Sequence, residues 1–211
     1  PLPMILAILF SELRSKKYMS FVQTVTTFPN FISWIIVYSL AFSMFSSEGL
    51  ITQALGMKQS ILTDKDAVYW FQSLLTLWKN LGWGSIVYLA AITGIDDQLY
   101  EAAYIDGAGR LKRIWHVTLP GIRTCIAVML ILEVGNFLSI SFNQIFALIN
   151  KAVLDKGETL DYFVYRMGLN SSNNFSVATA TGLIKSLVGL VMIFATNNAA
   201  KKLTDGEGGI W

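Results

Sequence analysis

Four long apolar runs constrain this chain more than any other feature. They cover about residues 28–45, 69–95, 121–149 and 175–196, with polar segments between them. A helix needs about 20 predominantly apolar residues to cross the hydrocarbon of a bilayer. In lipid, every backbone N–H and C=O must find its partner inside the segment, which a helix provides and an open strand does not. The pattern predicts an all-α fold, a polytopic membrane helix bundle with about four full spans. Ahead of them, "PLPMILAILF" holds only about ten residues before Ser11 and Glu12. No basic n-region precedes it, so it does not read as a signal peptide. It reads as a partial N-terminal span whose start is missing, which makes residues 1–211 one N-terminally truncated membrane domain.

Charged residues make up 14% of the chain and hydrophobic ones 54%, where soluble domains carry about 25% charge. The formal net charge of +2 is too small to point to nucleic acid. Cys125 stands alone, which precludes an intrachain disulfide. His116 is the single histidine and has no Cys, His or carboxylate partner at ligand spacing, so no metal site is expected. Ser85 lies in an apolar run apart from His116, and a Ser–His nucleophile needs direct contact. No catalytic residue and no cofactor is expected.

Because spans alternate, the polar segments 12–20, 96–120 and the C-terminal tail share one side. They carry Arg14, Lys16, Lys17, Arg110, Lys112, Arg113, Lys201 and Lys202, against Lys58, Lys65, Lys151, Lys156 and Arg166 on the other. Basic residues concentrate on the cytoplasmic side of a membrane protein. The excess places residues 96–120 and the tail in the cytoplasm of a multi-pass protein of the cell (inner) membrane.

The segment "EAAYIDGAGRLKRIWHVTLP" (101–120) interrupts this apolar chain. Asp96 and Asp97 are N-cap candidates whose charge complements a helix start. Leu99 and Ala103 share a face, with Asp106 beside it. Asp106-Gly107 is a turn signal, because glycine takes positive φ without penalty. After Gly109, "RLKRIWHV" predicts a second short helix, with Leu111, Ile114 and Trp115 on one side and Arg110 and Arg113 on another. Leu119-Pro120 is expected to break it. Two amphipathic helices in such a loop fit docking to a soluble partner. They also fit a helix lying in the membrane interface through Trp115. A DNA-reading helix–turn–helix is disfavoured, since spans at both ends restrict access to a duplex groove.

The segment resembles the EAA loop of binding-protein-dependent ABC importer permeases. That pattern is Glu-Ala-Ala, three residues, Gly, nine residues, an aliphatic residue, any residue, Leu-Pro. Here it is met by Glu101, Ala102, Ala103, Gly107, Val117, Leu119 and Pro120. "DGAG" (106–109) fits as well, and Val117 stands where isoleucine is commoner. The stretches "QTVTTFPNFISWIIV" (23–37), "WKNLGWGSIVYLAAITGIDDQLYEAAYIDGAGR" (78–110) and "ATGLIKSLVGL" (180–190) are similar to the carbohydrate-uptake branch of this family, especially its oligosaccharide and polysaccharide permeases. The resemblance implies that residues 96–120 form a coupling loop, docked in a groove of a cytoplasmic ATPase. Glu101 would meet a basic group there and Gly107 would set the turn. It implies as partners a second permease, two ATPase subunits and an extracytoplasmic sugar-binding protein, beside the lipid bilayer. No Gly-x-x-x-x-Gly-Lys-Ser/Thr loop is present, so ATP hydrolysis belongs to a separate subunit. The rival is a secondary transporter or channel carrying a cytoplasmic surface helix.

Lys79, Glu133 and Lys185 fall inside the apolar runs. A charge near mid-bilayer costs at least about 2.5–3.5 kcal/mol, so such residues are paired or face water. A helix-locking pair of Glu133 with Lys79 or Lys185 is one expectation. A substrate path through Lys79, Glu133, Asn136 and Asn143 is the other, with Asn136 and Asn143 following Glu133 on one helix face. Trp78, Trp83, Phe137 and Phe142 offer faces for sugar rings, though membrane aromatics also serve as packing and interface anchors.

Overall fold

A computed structural model of the chain describes residues 1–13, 15–56, 59–139, 142–170 and 174–204, with 206 and 209. Arg14 and Lys58, counted above for orientation, lie outside the described residues, as do several positions of the tail. Among the described residues thirteen helices follow in order: α1 Leu2–Ser11, α2 Lys16–Thr27, α3 Trp34–Phe45, α4 Leu50–Ala54, α5 Val68–Thr93, α6 Asp97–Ile105, α7 Arg110–Arg113, α8 Leu119–Gly121, α9 Arg123–Gly135, α10 Phe142–Leu148, α11 Leu154–Gly157, α12 Leu160–Tyr165 and α13 Phe175–Leu203. Short 3₁₀ turns at Phe28–Phe31 and Ile61–Thr63, and π-turns at Ile114–Thr118 and Arg166–Asn170, link them. No strand occurs among the described residues, as the apolar pattern requires.

The expected four full spans are not all met by length and apolarity together. Trp34–Ala54, which runs from α3 into α4, and Phe175–Lys202 are long and apolar enough to cross a membrane. A third is reached if Arg110–Gly121 and Arg123–Gly135, bent by 65°, count as one. At 26 residues, α5 is about 39 Å long, but Gln72, Ser73, Thr76, Lys79 and Asn80 lower its hydropathy.

Two boundaries differ from expectation for local reasons. The apolar run read from about residue 28 becomes helix only at Trp34, where α3 starts behind the Ser33 cap, whose side chain accepts from Ile36 N–H at 3.4 Å; Pro29 lies in the 3₁₀ turn that ends α2. α2 itself is hidden in the sequence by Gln23, Thr24, Thr26 and Thr27. The Thr24 and Thr26 hydroxyls donate to the Ser20 and Val22 carbonyls at 2.8 and 2.9 Å, which satisfies them along the helix. The run 121–149 is not one helix, for α9 ends at Gly135 and α10 begins at Phe142. Ser139 N–H turns back to the Asn136 carbonyl at 2.8 Å.

The chain divides into two compact units. The first comprises residues 1–30, 78–135 and 192–211. Its core packs Ala7, Ile8 and Phe10 of α1 against Leu89 and Ile92 of α5 and Ile122, so one face of the N-terminal apolar run is buried in this unit while Leu2, Ile5 and Leu9 stay exposed. α2 approaches α5 at Gly82, where a Cβ would meet the Thr26 carbonyl oxygen at 2.2 Å. Only glycine permits that contact.

The second unit comprises residues 31–77 and 136–191. Within it α10 packs against α3 and α12. Phe142, Phe146 and Tyr165 form an aromatic trio with centroids 5.3–5.6 Å apart, a favourable spacing. The segment 150–174, a polar loop by sequence, holds α11, α12 and the second π-turn.

Candidate functional site

The segment 96–120 lies in the first unit. Its first helix starts where the sequence places it: Asp96 Oδ1 accepts the Gln98 N–H at 2.9 Å, satisfying one of the donors every helix start leaves open. Its end is a Schellman stop. Gly107 has φ +73°, Gly107 N–H donates to the Tyr104 carbonyl at 3.0 Å and Ala108 N–H to the Ala103 carbonyl at 2.9 Å. That pair of bonds is the 5→2 and 6→1 pattern around a left-handed residue. The spacing Glu-Ala-Ala, three residues, Gly therefore has a local meaning: Ala103 supplies the carbonyl that the turn past Gly107 closes on.

The second half departs from expectation. Gly109 precedes α7, but the helix does not stop before Pro120; it widens into a π-turn over Ile114–Thr118 and continues into α8. Leu119 N–H reaches the Ile114 carbonyl, five residues back. A proline ring clashes with the carbonyl four residues before it, and the wider turn accommodates Pro120 without ending the helix. The direction changes instead at Ile122, between Gly121 and Arg123. Two contacts close the loop at its base. Tyr100 Oη and Thr118 Oγ1 lie 3.0 Å apart, and a Cβ on Gly121 would meet Ile95 Cδ1 at 2.7 Å.

What remains outward is chemically distinct. Glu101 is exposed, without a hydrogen bond or ion pair among the described residues. Ala102 and Asp106 are exposed with it, and so are Leu99, Tyr104, Leu111 and Trp115; Ile105 is 83% exposed. Val117 and Leu119 are half-buried, and Leu119 and Ile114 pack against the core of the unit. Arg110 stands 3.8 Å from Glu12 with most of its side chain in solvent, a loose pair of little energetic weight.

The charges inside the apolar runs have other partners than expected. Lys185 pairs with Asp161 of α12, not with Glu133. Lys79 is only 7% exposed and donates to the Pro29 and Asn30 carbonyls at 3.1 and 2.7 Å. It thereby caps the end of the α2–3₁₀ segment, a favourable place for a cation. Glu133 is exposed and makes no ion pair among the described residues, so the expected helix-locking pair is not formed. Asn136 and Asn143 do not share a helix face, because α9 has ended before the first and α10 begins only beside the second. Phe142 is engaged in the aromatic trio, while Trp78, Trp83 and Phe137 are exposed. No group of three metal-ligating side chains occurs among the described residues.

Sequence reasoning missed Gln144, which is 1% exposed. Its Oε1 accepts from Thr76 Oγ1 at 2.8 Å and its Nε2 donates to the Gln72 carbonyl at 3.0 Å, linking α10 to α5. A glutamine inside an apolar run was the available signal.

Long apolar helices and a closed, partly uncommitted polar loop define the class as an integral membrane helix bundle. The chain belongs to the family of binding-protein-dependent transport system inner membrane components, whose sequence profile matches residues 1–205. It is 42% identical over 219 residues to the polygalacturonan/rhamnogalacturonan transport system permease protein YteP of Bacillus subtilis (strain 168), covering 100% of this chain and 66% of the relative. To protein LplB of the same organism it is 42% identical over 216 residues, covering 99% and 66%. The chain thus spans just under two thirds of the length of these relatives. Its fold is similar to a crystal structure of a bacterial ABC transporter involved in the import of the acidic polysaccharide alginate, with a TM-score of 0.91, 34% identity, and coverage of 97% of this chain and 73% of that one.

Proposed function

We propose that this chain is a permease subunit of an ATP-driven ABC importer for a saccharide, with residues 96–120 as the segment through which a cytoplasmic ATPase moves the membrane helices. Glu101, exposed and uncommitted on a helix whose end is set by Ala103 and Gly107, is the observation that carries this reading. Around it, Ala102, Asp106, Tyr104 and Ile105 form the outward face of the docking element. Leu119 transmits its position to the core, Val117 is half-buried beside it, and Pro120 faces solvent within α8. The relatives named as permeases of saccharide transport systems support the substrate class. Partners under this reading are a second permease, two ATPase subunits and an extracytoplasmic sugar-binding protein. The coupling loop and the tail face the cytoplasm, and residues 1–211 act as one transmembrane permease domain. Lys79, buried, and Glu133, Asn136 and Asn143, exposed, remain the residues proposed for a translocation path.

Truncating one member of a desolvated charge pair costs about 2–5 kcal/mol, so Glu101→Ala is expected to release the ATPase and abolish uptake. Gly107→Val forces a β-branched residue into positive φ, where such residues are genuine outliers, and misdirects α7. Both variants should reach the membrane at normal levels. The measurement is sugar uptake by cells carrying each variant, beside a pull-down of the ATPase. A secondary transporter with a surface helix instead predicts normal uptake with Glu101→Ala and a loss with Trp115→Ala.

A further inference from the structure

Among the described residues of the second unit, Lys65, Lys156, Arg166 and Lys185 pair with Asp155, Asp66, Glu158 and Asp161. Asp64 accepts the Asp66 N–H at 2.9 Å. Glu48 and Lys151 are left without an ion pair or a side-chain hydrogen bond, and both line one cavity of 560 Å³. Both side chains are exposed, so an incoming molecule can reach them.

The wall that carries them is fixed in advance. Ser60 Oγ donates to the Phe45 carbonyl at the end of α3 at 2.6 Å and accepts the Leu62 N–H at 3.2 Å. Asn150 Nδ2 donates to the Leu62 carbonyl at 2.8 Å, and its Oδ1 accepts the Ala152 N–H at 3.0 Å. These bonds tie the end of α3, the turn 60–63 and the segment 150–152 together, and a preorganised site loses less entropy on binding. On this frame the hydroxyls of Tyr38, Ser46 and Ser47 make no hydrogen bond among the described residues. The Tyr38 and Phe42 rings, 6.0 Å apart, add an apolar floor.

The two charges have opposite sign and no ion pair joins them, so an occupant must bring a cation to one and an anion to the other. A lipid surface offers phosphates to Lys151 but repels Glu48. An apolar membrane helix would strip water from both charges and return nothing. A polar protein loop meets both, with its backbone groups free to bond the three hydroxyls. The cavity belongs to the polar segments 46–68 and 150–174, which alternation sets on the face opposite the loop 96–120, the outer face under the importer reading.

We propose that this cavity is a docking socket for a loop of the extracytoplasmic binding protein, one that carries a basic side chain for Glu48 and an acidic one for Lys151. The proposal rests on the importer reading and adds the place where that partner is held.

The test uses the full-length protein assembled with its partner permease and ATPases in lipid nanodiscs, and the binding protein of the same transport system as the probe. Glu48→Gln and Lys151→Met should each weaken binding about tenfold at low salt, and the loss should shrink at high salt. Glu48→Lys and Lys151→Glu should each weaken it further. The unfolding midpoint without the binding protein should not move, since neither side chain holds the fold. Glu48→Lys combined with Lys151→Glu should bind worse than either reversal alone; recovery to wild-type strength would mean that the two serve only each other and overturns the socket. A photoreactive residue at Ser47, exposed on the same wall, should cross-link to the binding protein; capture of the second permease or of lipid instead overturns the socket too. If the wild-type complex does not bind the binding protein, the importer reading falls and the socket with it. If wild type and all variants bind it alike, the importer reading stands and the socket alone falls.

Discussion

The two compact units treat their charges in opposite ways. In the second, Lys65 meets Asp155, Lys156 meets Asp66, Arg166 meets Glu158 and Lys185 meets Asp161. In the first, the loop 96–120 leaves Glu101 unpaired and holds Arg110 only loosely to Glu12. An ion pair closed within one chain fixes that chain's own geometry. A charge left open on a helix stays accessible to another molecule. The second unit is held from within by these pairs, and under the function proposed above the loop of the first would be held from outside.

The contrast is broken most severely at Asp161 and Lys185, whose side chains are 28% and 16% exposed. Removing one partner of a buried pair costs about 3–5 kcal/mol, and replacing both by apolar groups is often neutral. Here partial exposure places the single Lys185→Met or Asp161→Leu loss toward the low end, near 3 kcal/mol. The double variant should recover most of it in a thermal-unfolding cycle. Strictly additive losses would show that the two residues are not coupled.

A smaller effect is expected at Gln144. Gln144→Leu removes two hydrogen bonds between α10 and α5 and should lower stability by about 1–2 kcal/mol. Gln72→Leu, on the neighbouring amide whose Nε2 makes no hydrogen bond, should not. Unfolding of the two variants side by side separates a polar group that holds the fold from one that does not.

The smallest effect belongs to the paired clasp of Lys65–Asp155 and Lys156–Asp66, 2.6 and 2.7 Å long and largely solvated. The hydrogen bond from Lys156 holds the Asp66 carboxyl below its ordinary range, and that from Lys65 does the same for Asp155. Asp66 in turn raises Lys156. Carboxylates lowered in the folded state stabilise above their unfolded pKa near 3.9, and that support is lost as pH falls through the folded value. A raised lysine stabilises below about 10.4, and its share is lost as pH rises through the folded value. The clasp should thus contribute between about pH 5 and 9 and fade outside that window. Lys65→Met should shift the melting temperature by no more than about 1–2 °C at low salt, and by less in 1 M salt. A large, salt-insensitive drop would mean that the clasp is not governed by solvent-exposed electrostatics.

What the sequence determined by itself is what neighbouring residues decide. The all-α character follows from apolar run length, because lipid offers the backbone no other partner. The Asp96 cap and the Gly107 turn follow from bonds spanning two to five residues. The EAA spacing was legible for the same reason: Ala103 and Gly107 belong to a single helix ending.

Tertiary structure decided the rest. Lys79 found carbonyls about 50 positions away, Lys185 chose Asp161 over Glu133, and Gln144 reached residues 68 and 72 positions back. A mid-span charge announces that it needs a partner, but several are in reach along the sequence. Only packing determines which one arrives at hydrogen-bond distance in a low-dielectric setting, where an unmet charge is costly. The same holds for α2, whose threonines look polar in sequence and satisfy themselves on the helix, and for Pro120, which ends no helix once a π-turn has widened the one before it.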